Sequence, residues 1–574
     1  MKQKKQTAGL LAGQKRIILI LAVLVAVLAV IYAVFLMLKP DYTLELPLYD
    51  ADGDRLDYSF TTADGSRVRE LSRTDDTVSV TADSEITYTT RPFLYEEIPL
   101  EQLASVSVHN ASGDFELYLD ATGEYVFRGN EMLLYQAQAL SDLRFQARYP
   151  LAVQKLEGSY TTDEALASFG LDAASDPIRV TATNTRGESC TLLLGDRLVT
   201  GAAYYAKNAD KPYVYVLDSS VSVFGSSVNS YFTPLITAPI SSNECNYIER
   251  FSIEKDGKPF LDSAILPEEQ REGTGTVDMH RLSYPARYSA SMTGYYDALA
   301  CFENLSGSAV LETGVLTGGT LEAMRQNPTD GVSDGADVSN AADASDPTDG
   351  EGETAVTDPA EERAHRLWEQ YGFDTPTNDV SYSYNGKDYR FLTGSRYTDE
   401  NGAVYYYAYS PYMDTIVSLP LENAPFLEYD LLDFIDPGVY RMNINDVAEL
   451  TAHIPGVTCR FVFTGTGADL KITEANTGRV MDTASFRQFF ISLLSIRIDG
   501  YADENEATGG NEFGFTVTTK YGDTLTYEFD IISTTRDLIT LDENAEFYAN
   551  RSCITIAAER LMMLMNGETI KADY

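Results

Sequence analysis

The sequence predicts an α+β protein. One N-terminal transmembrane helix leads into an ectodomain of about three related repeats, each an antiparallel sheet with a helix. Three observations carry this. Residues 17–38 are 22 consecutive uncharged residues, preceded by Lys2, Lys4, Lys5, Lys15 and Arg16. Beyond them, period-two alternation recurs in short runs broken by Asp-Gly, Asn-Gly and Arg-Gly turns, as half-buried strands joined in hairpins require. Finally, a set of landmarks appears in the same order more than once.

The apolar run comes first in the chain. At about 1.5 Å per residue it makes a helix of roughly 33 Å, enough for a bilayer core. Sixteen of its residues are Leu, Ile, Val or Phe, so insertion is favoured with no charge to oppose it. The basic residues at 1–16 keep the N-terminus cytoplasmic and place residues 41–574 outside the membrane. The run leaves through Leu36-Met37-Leu38-Lys39-Pro40 without a small-residue cleavage site, so it reads as a retained single-pass anchor. Residues 41–98 follow as a small β region or stalk, with turns at Asp52-Gly53 and Asp64-Gly65.

The repeats are read at 99–235, 243–430 and 440–574. Each opens on a strand: Leu103 to Val108, Ile248 to Ile253 and Val447 to Ala452, turning at Gly113, Gly257 and Gly456. A helix candidate follows, striped by Met132, Leu133, Leu140 and Leu143 in the first repeat. Tyr295 to Phe302 supply it in the second, and Phe486, Phe489, Phe490, Leu493 and Leu494 in the third. Next comes an aromatic-glycine signature: Phe169-Gly-Leu-Asp172, Tyr371-Gly-Phe-Asp374 and the partial Phe513-Gly-Phe515. It opens a hairpin turning at Arg186-Gly187, Asn385-Gly386 or Tyr521-Gly522; the Asn-Gly pair suits a turn whose central residues both take positive φ. Tyr204-Tyr205-Ala206, Tyr406-Tyr407-Ala408 and Phe547-Tyr548-Ala549 come last. Within the second repeat, 327–362 holds eleven acids, no Lys or Arg and no aromatic residue. Such a stretch buries too little to offset its ordering entropy and is expected to be a disordered loop.

Beyond residue 40 the chain carries 37 basic against 86 acidic residues. That surface repels nucleic acid and anionic lipid, which excludes nucleic-acid binding. With 44% apolar residues the ectodomain can still bury cores by itself. Cys190, Cys245, Cys301, Cys459 and Cys553 form no Cys-x-x-Cys pair and read as partly buried thiols.

The run Phe169-Gly-Leu-Asp172, Gly195-Asp196, Tyr204-Tyr205-Ala206 and Val214-Tyr-Val-Leu217, echoed at Tyr371-Gly-Phe-Asp374, resembles the bacterial family called domain of unknown function 4340. The resemblance covers about 99–420; the third repeat departs from it, with Thr516 in place of the aspartate. It implies an auxiliary component of an ABC-type transport system at a bacterial cell membrane, of the kind linked to gliding motility, with permease and ATPase subunits as partners. The other reading is a cell-surface or wall-associated binding and adhesion protein.

No catalytic, cofactor-binding or metal-ligating residue is assigned, and the chain reads as non-enzymatic. His109 and His453 hold the same place in the first and third repeats, where the second has Glu254, and read as solvated strand positions. His280 and His365 complete the set. Ser252-Ile-Glu-Lys255 matches the Ser-x-x-Lys of penicillin-binding enzymes but falls in an alternating strand without companion motifs. Asp50, Asp52 and Asp54 have calcium-loop spacing, but Arg55 stands where the turn needs glycine. No Gly-x-x-x-x-Gly-Lys phosphate loop exists. Nine tyrosines crowd 382–412, a sheet face that packs or binds a partner or glycan.

Overall fold

The computed structural model describes residues 93–95, 97–274, 279–316 and 359–572, together with the backbone of a helix and six short strands before them. The helix is Lys4–Met37, and its described side chains, Ile17 and 19–34, are all exposed. Among the described residues, no helix is long and apolar enough to cross a membrane. Between 43 and 92 the strands pair into two three-stranded antiparallel sheets. The chain divides into two compact bodies, one of residues 1–131 and 137–228, the other of 132–136 and 229–574. Residues 229–235, read from sequence as the end of the first repeat, thus belong to the second body.

Three eight-stranded antiparallel sheets make up the fold beyond residue 93, one in the first body and two in the second. All three have one topology. Numbering the strands of each sheet in chain order, the spatial order is third, second, first, fifth, sixth, seventh, eighth, fourth. The first strands are Leu103–Asn110, Arg250–Lys255 and Val447–Ile454; their fifth-strand neighbours are Ile178–Asn184, Asn378–Tyr384 and Asn511–Thr519. Hairpins join first to second strands at the glycines expected, with φ of +120°, +69° and +81° at Gly113, Gly257 and Gly456.

One face of each sheet is apolar and lies under the helix that follows the third strand. Val106, Val108, Val180 and Ala182 are fully buried in the first repeat, with Leu143 and Ala147 from Ala137–Arg148. Phe251 does this in the second repeat, ringed by Tyr295, Phe302 and Phe426. In the third, Phe486 packs edge-on against Phe461 and Phe463. Met132 and Leu133 do not extend the first helical stripe: they precede the helix, and Met132 is 93% exposed. The second and third repeats are joined by Arg287, whose Nε donates to Asp542 at 2.6 Å, and by Tyr288 against Phe547.

The aromatic-glycine signature has a structural cause. In the first two repeats a helix, Asp163–Ala167 or Pro359–Tyr371, precedes the fifth strand. Gly170 and Gly372 take φ of +66° and +82° just past it. The amide of the next residue donates back five positions, Leu171 to the Leu166 carbonyl at 3.2 Å and Phe373 to that of Trp368 at 2.9 Å. That is a Schellman cap, which needs a left-handed residue at the glycine. The cap seats on a bulge in the sixth strand, where pairing skips from Leu194 to Arg197 and from Thr393 to Arg396. At the bulge stand Gly195 and Gly394, pressed against the Phe169 and Tyr371 carbonyls.

The third repeat has no such device, and two expectations there are corrected. Phe513-Gly-Phe515 lies inside the fifth strand, Asn511–Thr519, and Gly514 has no positive φ. Phe547-Tyr548-Ala549 lies in the eighth strand, Asn544–Asn550, whereas its supposed counterparts lie in seventh strands. The final helix, Arg551–Asn566, packs where the other two repeats have only short turns.

Most of the acidic stretch 327–362 lies outside the described residues, but its last four residues open the helix Pro359–Tyr371. Arg363 ties that helix to the fourth strand through Glu312 and the carbonyl of Gly314. Deleting 327–357, short of the helix, should therefore leave the melting temperature within about 2 °C. Extending the deletion through Arg363 should lower it further, as calorimetry of both variants would read, because ~1 kcal/mol shifts Tm by a few degrees.

Candidate functional site

Over its first, second and fifth strands the second face of each sheet is polar and stays open; over the later strands of the first two sheets it is covered by the capped helix and a smaller apolar cluster. Alternation in the first strand turns Ser105, Ser107 and His109 to this side. Hydroxyls pair across it: Thr181 with Thr191 at 3.1 Å in the first repeat, Thr516 with Thr526 at 3.2 Å in the third. Each repeat adds an arginine–carboxylate pair: Arg128 to Glu116 at 2.6 Å, Arg250 to Asp262 at 2.9 Å, Arg460 to Glu449 at 2.6 Å. Exposed pairs of this kind add little stability.

A shallow, open cleft of about 390 Å³ lies on this face of the first repeat, lined by Ser107, His109, Asp114, Glu116, Arg128, Arg179 and Thr181 among others. Register explains the convergence: His109 stands between Arg179 on the fifth strand and Asp114 on the second, with Ser107 between Thr181 and Glu116. His109 Nδ1 meets Asp114 at 2.5 Å and Nε2 meets Asp176 at 3.3 Å. These two carboxylates raise the imidazole above its ordinary pKa. Arg128 also lies over the Tyr118 ring at 4.5 Å.

The histidines part company in the structure. His453 pairs with Glu528 at 3.0 Å, and His365 is exposed on its helix. His280 is buried, its Nε2 donating to the Ile248 carbonyl at 2.8 Å, and burial pushes its pKa down to about 4. Ser252 and Lys255 are separated by strand parity; the Lys255 ammonium donates to the Tyr429 carbonyl at 2.7 Å and lies over Phe260.

The tyrosines sort by face. Tyr382 and Tyr406 are core residues, while Tyr397 stacks on Tyr405 and Tyr407 at 5.2 and 4.6 Å on the opposite face, where Tyr409 is buried beside them under Trp368 of the Pro359–Tyr371 helix. All five cysteines are free thiols. Asp50, Asp52 and Asp54 lie outside the described residues. Among the described residues no cluster of His, Cys, Asp and Glu is arranged to hold a metal.

Two features escaped the sequence. Arg179 gave no signal, because its meaning depends on which residues face it across strands. Asp537 has a fully buried side chain, and neither of its oxygens accepts a hydrogen bond. Arg551 Nε stands 3.8 Å away and donates instead to Glu512 at 2.7 Å. Burial first and the Glu512 charge second push the Asp537 carboxyl up to about 7. Set against known proteins, the chain matches no family model, no curated protein and no solved structure.

Proposed function

We propose that the chain is a non-enzymatic, membrane-anchored extracytoplasmic protein serving as an auxiliary component of an ABC-type transport system. The observation that carries the anchor is the Lys4–Met37 helix, whose described side chains are apolar and exposed to a degree water does not favour. Lipid around residues 17–38 would cover them. Three copies of one sheet, each with a polar open face, suit a protein that presents surfaces to partners. The groups that chemistry would recruit are already engaged: His280 in the core, His453 with Glu528, and Lys255 with a carbonyl. The transporter assignment itself rests on the resemblance in the signature, which in this fold serves as a helix cap on a bulge.

Two measurements test this. A reporter fused after Tyr574 is expected to be active outside the cytoplasm; activity inside would overturn the anchored topology. Cross-linking in native membranes followed by mass spectrometry is expected to recover permease or ATPase subunits, and to lose them when 1–38 is removed, since confinement to a bilayer raises effective concentration. Cross-links only to wall polymer or to surface proteins of other cells would replace this reading with adhesion.

A further inference from the structure

Two facing positions on the open side of each sheet, one on the first strand and one on the fifth, can be followed through all three repeats. They hold His109 and Arg179, Glu254 and Asp379, and His453 and Gly514. In the second repeat the place is closed: Arg390, 7% exposed, forks onto both oxygens of Asp379. In the third it is filled, for a Cβ on Gly514 would lie 2.2 Å from Glu528 Oε2 and 2.5 Å from His453 Cε1. The first repeat differs. His109 is drawn to Asp114 and Asp176, and the sixth-strand residue opposite Arg179 is Leu193, which offers no charge. Arg179 is exposed and has no ion-pair or hydrogen-bond partner among the described residues, in a chain with twice as many acids as bases. The cleft of the first repeat is this same place left open.

Its chemistry narrows the occupant. A guanidinium presents planar donors that fit a carboxylate in two bonds, and Ser107 adds a hydroxyl with no partner of its own. Asp114 and Glu116 line the same cleft and disfavour a dianion or polyanion there. Asp114, with a side chain 80% exposed, has an oxygen left to receive a cation. We propose that this cleft binds a small zwitterion, an amino acid or short peptide, with Arg179 and Ser107 donating to its carboxylate, the charge of the His109 ring beside them, and Asp114 on its ammonium. This site is independent of the anchor and of any transporter.

The test is isothermal titration of the full chain in detergent at pH 6.5, with glycylglycine, acetate and inorganic phosphate as probes. Glycylglycine is expected to saturate one site, and Arg179→Gln to weaken it at least tenfold. Arg186→Gln, on a hairpin turn outside the cleft, should change nothing. Arg179 is exposed and unpaired, so its variant should keep the wild-type melting temperature, which separates lost binding from lost fold. Because the protonated imidazole attracts the carboxylate, affinity should fall as pH rises through the elevated pKa of His109, and His109→Gln should flatten that profile. Absence of saturable glycylglycine heat, wild-type titration by Arg179→Gln, or tighter binding of phosphate than of glycylglycine would each overturn the proposal.

Discussion

Gly394→Ala is expected to destabilise the second body by about 2–3 kcal/mol, and Gly195→Ala the first by a similar amount, as overpacking against rigid neighbours does. A Cβ at Gly394 would sit 2.1 Å from the Tyr371 carbonyl oxygen, and at Gly195 2.3 Å from that of Phe169. Both obstacles are backbone, in caps fixed by their own hydrogen bonds, so no side-chain rotation relieves them. The cap must lift off the bulge, loosening Tyr371, Phe373 and Leu392 in one core and Leu166 and Leu171 in the other. Gly510→Ala is the control, since a Cβ there meets nothing within 4 Å and φ is not positive. Thermal denaturation should show a drop of roughly 5 °C for Gly394→Ala and almost none for Gly510→Ala. Equal melting temperatures would mean that the cap is not seated as described.

The second large effect concerns Asp537. Its folded-state pKa, about 7, lies above the ordinary carboxylate value near 3.9. The unfolded chain therefore releases the proton first as pH rises. Stability is unaffected below about pH 4, declines through pH 4–7, and stays reduced above. Asp537→Asn, equal in size and uncharged, should remove that decline. It should gain on the order of 2–4 kcal/mol over wild type at pH 8 and little at pH 4. His280 acts in the opposite sense over the same window. Its pKa is depressed from 6.5 to about 4, so its contribution is complete above pH 6.5 and is lost as pH falls toward 4. Wild-type stability measured alone can look flat across this window, and denaturant melts of Asp537→Asn at each pH expose the hidden slope. An unchanged difference between variant and wild type from pH 4 to 8 would show that the carboxyl is not desolvated.

What could be read in advance follows from which forces are local. Hairpins at Asp256-Gly257 and Asn385-Gly386 were legible because a turn with two positive φ values selects its residues, and all four take them. The third-repeat helix was legible from its spacing of Phe486, Phe489, Phe490 and Leu493, all buried. Phe513-Gly-Phe515 misled because the letters of a cap do not state φ; with no helix before it, the same pattern extends into a strand. The alanine-ended aromatic triplet slipped by one strand for a similar reason, since both strands alternate and only pairing distinguishes them. The cleft and the buried carboxyl were illegible because both depend on register. Arg179 reads as any surface arginine until Asp379 and Gly514 are seen in its place. Asp537 sits among Thr534, Thr535 and Arg536 and reads as turn until the final helix covers it.

The strand order shared by the three sheets also fixes a schedule. A first strand is hydrogen-bonded on one side by its own hairpin, but its other side waits for the fifth strand. The wait spans 74 residues from Ser107 to Thr181, 129 from Ser252 to Ser381, and 65 from Thr451 to Thr516. As the chain is synthesised from its N-terminus, each leading hairpin therefore exposes an unpaired edge until its second half arrives, a template for misjoining. The acidic stretch lengthens this interval only in the second repeat. Doubling a loop costs about 0.6 kcal/mol of closure entropy, so the second sheet should be the slowest to close. Edges of the same topology on neighbouring repeats compete for partners meanwhile. The divergence of the third repeat, which lacks the cap before its fifth strand and the sixth-strand bulge that seats it, then has a kinetic use: its strands are poor substitutes for those of the second.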